Sequence, residues 1–230
     1  ALEFVKNGWS VKAMQRTILN SKSYRQSIAV CDDHQDLDPQ NRLYSRVSLR
    51  RMDAEALRDS LLFIAGRLDN TPGGIPDAVS VDRDGLVHVE PGEGGRWRRS
   101  IYAQYRRTEI PTIMDTFDYP QMGPNCTARS VSNVSPQPLM LMNSQHVNQL
   151  AQSFAARVNE LLGDHPVVTH GDRVDMAYQL ALTRMPDEKE RRLAVEMLEE
   201  LEVAWDGSTQ KALETFCHTI LNSAAFLYVD

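Results

Sequence analysis

No stretch of this 230-residue chain approaches the roughly 20 successive apolar residues that a membrane-spanning helix needs. Membrane insertion by this chain is therefore not expected. Neither CxxC nor CxxCH occurs among its three cysteines, Cys31, Cys126 and Cys217. That excludes haem attachment here, allows one disulfide, and leaves one thiol over. Excess positive charge is missing too: 25 Lys and Arg stand against 31 Asp and Glu, a net charge of -6. Nothing in that balance points to a nucleic-acid partner. The run Pro91-Gly92-Glu93-Gly94-Gly95 is not GxGxxG and opens no helix, so it is not a phosphate cradle. There is no GxSxG elbow. Cys31 and His34 have no second pair at ligand spacing, so no metal is expected. A basic-apolar-small leader is also lacking. The chain opens instead on Ala1-Leu2-Glu3-Phe4-Val5, which reads as the closing turns of a helix in a piece of a larger protein.

What is present is enough for a core. A chain of this length buries about 70–75% of its unfolded surface. With 42% apolar and 24% charged residues, disorder is excluded as the overall state. The patterning is mainly helical over one domain, 1–230, with a β-containing insertion at 72–107 and its strands near 78–107. Asn7-Gly8 stops the first helix, and Ser10 caps a second to about residue 23, with Val11, Met14, Ile18 and Leu19 on one face. A helix over about 53–68, headed by Asp53, carries Leu57, Leu61, Ile64, Ala65 and Leu68. Val79, Val81 and then Arg83-Asp84-Gly85 before Val87 and Val89 predict a hairpin, because Asp-Gly tolerates positive φ. Ser100 to Tyr105 predicts a short edge strand, with one alternating face partly buried. The last third is helical. Its starts fall at Ser135-Pro136, Ser144, Asp172, Asp187 and Thr209, and Leu193, Val195, Met197, Leu198 and Leu201 face inward on the fourth helix. Trp9, Trp97 and Trp205 are expected to pack rather than form a stacking platform.

An ordered set of phrases runs along nearly the whole chain. It begins with Gly8-Trp9-Ser10-Val11-Lys12, Ser23-Tyr24-Arg25-Gln26-Ser27, Asp38-Pro39 and Arg50-Arg51-Met52-Asp53-Ala54-Glu55-Ala56-Leu57-Arg58-Asp59. Arg99-Ser100-Ile101-Tyr102, Arg106-Arg107, Phe117-Asp118 and Cys126 with Arg129 come next. Pro136-Gln137, Leu141-Met142-Asn143-Ser144, Arg184-Met185-Pro186 and Leu221-Asn222-Ser223 close the series. In these the chain resembles the planctomycete-specific C-terminal domain family of unknown function, found in large proteins that often carry a c-type cytochrome domain. The resemblance implies an exported or cell-envelope multidomain protein. It implies no cofactor in this chain, with haem belonging to another part of the full-length protein. It implies no established activity; docking on a preceding N-terminal segment or a neighbouring domain is the expected role. Two departures matter: that segment, rich in Arg, Asn, Trp and His, is not in this chain, and Ala225 stands where the family tends to have Glu.

Two polar clusters stand out. In the first, Glu55 and Asp59 lie one helical turn apart and repel unless Arg51, Arg58 or an arginine of 98–107 neutralises them. The second gathers Arg99, Tyr102, Arg106, Arg107, Asp118, Cys126 and Arg129. Its guanidiniums suit bidentate binding of a carboxylate or sulfate, and would activate Cys126 as a thiolate. The plainer expectation is that the arginines bridge to Asp and Glu and that Cys126 is a buried filler. Two functions are carried forward. One is a structural or binding module of an exported multidomain protein. The other is a hydrolase acting on a polar envelope or polysaccharide substrate, with its site between 50–59 and 98–129.

Overall fold

The structure, a computed structural model, describes residues 1–30, 36–120, 126, 128–163 and 167–229. Cys31, His34 and His165 lie outside the described residues. The fold is mainly α, 52% helical, with only short strands. Its contacts divide into two compact units, 1–51 with 228–230, and 52–227.

The first unit holds α1 (Leu2–Lys6) and α2 (Val11–Leu19). Ser10 caps α2 by accepting from the Ala13 N–H, as its position predicts. The helix ends at Leu19, one turn short of the expected residue 23. Neither helix buries a residue. Strand β1 (Arg50–Arg51) pairs antiparallel with β6 (Tyr228–Val229), placing Arg51 opposite Tyr228.

The second unit contains the apolar core. Helix α3 (Ala54–Ile64) buries Leu57, Leu61, Leu62 and Ile64. Asp53 occupies its N-cap position without a side-chain capping bond. Gly66, at φ +67°, terminates the helix in the left-handed region that glycine enters without a Cβ penalty. Leu68 therefore leaves the helical stripe expected for it. It starts β2 (Leu68–Asp69), which pairs in parallel with β5 (Trp97–Arg98).

The hairpin forms as the Asp-Gly signal predicts. Strands β3 (Val79–Val81) and β4 (Val87–Val89) pair antiparallel, and Gly85 takes φ +83°. Asp82 fixes the turn by accepting from the backbone N–H groups of Asp84 and Leu86, both at 2.9 Å. The strand expected at Ser100 to Tyr105 does not exist. Ser100–Tyr102 is a 3-10 turn, because the Asp59 carboxylate captures the Ser100 N–H and hydroxyl at 2.7 Å each and curls the chain. Ile101 is left exposed by that curl, not on a buried face.

The remaining helices are α4 (Thr112–Thr116), α5 (Pro136–Asn143), α6 (Gln145–Leu162), α7 (His170–Leu182), α8 (Glu188–Ala204), α9 (Thr209–Leu221) and α10 (Ala224–Leu227). The i, i+3, i+4, i+7 stripe of α6 (Val147, Leu150, Ala151, Phe154, Ala155, Val158) is wholly buried. It packs against the Leu213, Phe216, Cys217 and Ile220 face of α9, while α7 and α8 pack on each other. Thr169 caps α7 in a capping box with Asp172, so the helix opens at His170, two residues before the expected Asp172. On α8 Leu198 and Ala194 are buried, whereas Leu193 is exposed, a correction to its expected inward position. Trp9 and Trp205 are exposed rather than packed in a core, and Trp205 lies under the Lys211 ammonium.

Candidate functional site

Helix α3 presents Glu55, Arg58 and Asp59; Glu55 pairs with Arg129, while Arg58 and Asp59 both bond to Ser100. Glu55 takes a bidentate pair from Arg129, at 2.6 and 2.8 Å. Burial is the largest influence on the Glu55 carboxyl and raises it; the Arg129 hydrogen bonds, a backbone hydrogen bond and the Arg129 charge together outweigh it and hold the group below its ordinary value. Arg129 also stands 3.9 Å from Asp53. Asp59 holds Ser100 by two bonds and lies 3.3 Å from Arg99 Nε. Arg58 is 3% exposed; its Nη1 donates to the Arg98 carbonyl at 3.1 Å and to Ser100 Oγ at 3.2 Å. Its near carboxylate is Asp59 on its own helix, 3.6 Å away. A bridge from Arg51 or Arg58 to an acid of another segment is the expectation here; the hydrogen bonds of Arg58 go to a carbonyl and a hydroxyl.

Glu55, Arg58, Asp59, Arg99 and Arg129 are therefore brought together. A groove of ≈ 490 Å³ runs beside them, lined by Asp53, Glu55, Asp59, Phe63, Leu68, Arg99 and Arg129. The other predicted site residues are placed differently. Arg51 belongs to the first unit, in β1. Tyr102 lies under the Arg98 guanidinium, 5.0 Å from its ring centre. Arg106 closes a local pair with Glu109 at 2.6 Å, and Arg107 is exposed. Asp118, at φ +64°, accepts from the Ser132 N–H and hydroxyl, both at 2.8 Å. Cys126 is an exposed free thiol donating to the Ala128 carbonyl at 3.1 Å, so it is not a buried filler. The buried thiol is Cys217, which burial pushes well up.

Two residues outside the predicted set organise this region. Arg98 bonds Asp77 at 2.6 and 2.8 Å and also the carbonyls of Gly73 and Ile75, gathering the 73–77 loop onto β5. Its place in a run of arginines hid it, since sequence spacing does not show which one turns inward. His146, near the start of α6, packs edge-on against Trp97 with centroids 5.0 Å apart. No histidine, serine or thiol stands against the Glu55 and Asp59 carboxylates with a hydrogen bond that would make it a nucleophile, among the described residues, apart from Ser100, whose hydroxyl is spent on Asp59. Nor do the described residues contain three metal-ligating side chains in one group.

The family described as "PSD1: Protein of unknown function (DUF1553)" matches residues 1–198, and the chain belongs to that family. No curated protein and no solved structure matches the chain. Among the described residues no helix is long and apolar enough to cross a membrane.

Proposed function

We propose that the chain is a non-catalytic binding module of an exported, multidomain cell-envelope protein of planctomycetes. It docks through residues 1–23 on a neighbouring segment or domain of the same polypeptide. The observation that carries this reading is the apolar side of α1 and α2. Leu2, Trp9, Val11, Ile18 and Leu19 are all exposed there, and neither helix buries a residue. Short amphipathic helices gain little stability from propensity alone and draw it from covering an apolar face. Exposed apolar side chains gathered along two adjacent helices suit an interaction surface. Within the set expected to bind a ligand, Glu55 is spent on Arg129, and Asp59 on Ser100 and Arg99, which favours a module over a hydrolase. Export, and a haem-bearing domain elsewhere in the same protein, rest on the family resemblance.

The test compares Ile18→Glu in the isolated chain and in the parent protein. The isolated domain is expected to melt as the wild type does, because the face is solvated. The parent is expected to become protease-sensitive around residues 10–25. A lowered melting point in the isolated domain, or an unaffected parent, would count against docking by this face. The hydrolase reading predicts turnover of a polysaccharide or ester panel that Glu55→Gln abolishes without a change in melting; the module reading predicts no turnover.

A further inference from the structure

Arg58 is the most deeply buried cation of the second unit, and part of it faces empty space. Its Nη2 has no hydrogen-bond partner among the described residues. A small cavity of ≈ 30 Å³ lies against it, walled by β4 at Val89, by Trp97 and by Ser144 and His146 at the start of α6. That volume is about the space of one water molecule. It is also the size class of a monatomic halide.

The charge around this space is unbalanced. Asp59 lies 3.6 Å from Arg58 Nη1 but already accepts two bonds from Ser100. Asp77 is taken by Arg98. Burial lowers Arg58 to about 10, outweighing the opposing pull of Asp59 and Asp77. The α6 helix adds positive potential, since the first-turn N–H groups of Gln145 and His146 have no intrahelical acceptor. Ser144 Oγ occupies only the Val147 N–H. An isolated buried guanidinium edge is costly, and an anion of the right size offsets that cost where neutral water does so only in part.

We propose that the cavity between Arg58 and the N-terminus of α6 binds one small monatomic anion, of the halide class, as a structural ligand of the fold. The anion accepts from Arg58 Nη2 and from the start of α6. His146 and Trp97 form part of its wall. It ties α3, β4, β5 and α6 together, and it is separate from the Glu55–Arg129 groove.

The test melts the protein in rising sodium bromide against sodium gluconate at matched ionic strength. A ligand bound only by the folded state raises the melting temperature with its concentration. A gain of several degrees specific to bromide is expected, together with an anomalous bromide peak within hydrogen-bond distance of Arg58 Nη2 in crystals grown in that salt. Arg58→Gln should lose the gain. Where Arg58→Gln does not fold, His146→Phe serves, because it fills the cavity without removing the cation; its melting temperature should ignore the choice of anion. Equal melting of the wild type in both salts overturns the proposal, as does a cavity holding only water in the bromide crystals. A bromide gain that survives His146→Phe overturns it as well, by placing the ion elsewhere.

Discussion

Glu55 and Arg129 make the best-formed ion pair of the candidate site, yet neither is deeply buried: their side chains are 26% and 36% exposed. Solvent screening therefore limits the pair to about 0.5–1 kcal/mol despite its bidentate geometry. A double-mutant cycle of Glu55→Ala and Arg129→Ala in urea should return a coupling of that size, and a coupling near zero would remove the clasp from the account. His146 is the opposite case. Burial first, then Arg58 and His88, lower its ring from 6.5 to about 4. Below the ordinary histidine pKa the unfolded chain takes up a proton that the folded chain refuses, so this contribution is present above about pH 6.5 and fades as pH falls toward 4. The loss is about 3.5 kcal/mol at most. Urea unfolding at pH 7 and pH 4.5 should show it in the wild type, and His146→Phe should show a shallower fall. At this scale the sequence announced Glu55, Asp59 and Arg129 as charges needing partners. It did not show that Arg58 and His146 share a cavity, because they are brought together only by the packing of α3 against α6.

Helix ends follow local chemistry, and the caps at Ser10, Ser144 and Asp187 sit where their residue types predict. One end is strained. Thr183 closes α7 at φ +55°, where a β-branched side chain crowds the following carbonyl at a cost of about 1–2 kcal/mol. Thr183→Gly is expected to raise stability by about 1 kcal/mol, read as an upward shift of the urea midpoint at constant slope. Another end is held from outside: Arg157 of α6 donates to the carbonyls of Phe63 at 2.6 Å and Ile64 at 3.0 Å, closing α3. Arg157→Ala should cost about 1–2 kcal/mol, since it leaves two helix-terminal carbonyls short of a donor. Thermal unfolding unchanged in that variant would show that water replaces the guanidinium. Nothing local to 63–66 announces this cap, which comes from a residue more than ninety positions away.

Across the whole chain, the core is unevenly placed. Every buried hydrophobic residue among those described falls within 52–227. Local stability tracks buried apolar contact, so amide hydrogens of α1 and α2 should exchange well before those of α6 and α9. Native-state hydrogen exchange by mass spectrometry checks this. Equal protection of residues 11–19 and 145–162 would contradict it. Leu198→Ala, at a fully buried position of α8, should by contrast cost about 2–5 kcal/mol, read as a lowered urea midpoint.

Sequence alone determined the mainly helical class, the hairpin around Gly85, most helix starts and the carboxylate-arginine crowding near residue 55, because each rests on periodicity, a cap or a turn residue acting within a few positions. Tertiary structure decided the rest. Leu68 left its helix because Gly66 broke it and β5 offered a partner. Ser100 to Tyr102 curled rather than extended because Asp59, forty positions away, captured its hydrogen-bonding groups. Arg98 turned inward while Arg99 stayed 61% exposed, although the two are adjacent and chemically alike. Local sequence encodes how the backbone prefers to bend; which of two like charges is desolvated depends on whether a distant chain segment arrives with acceptors to receive it.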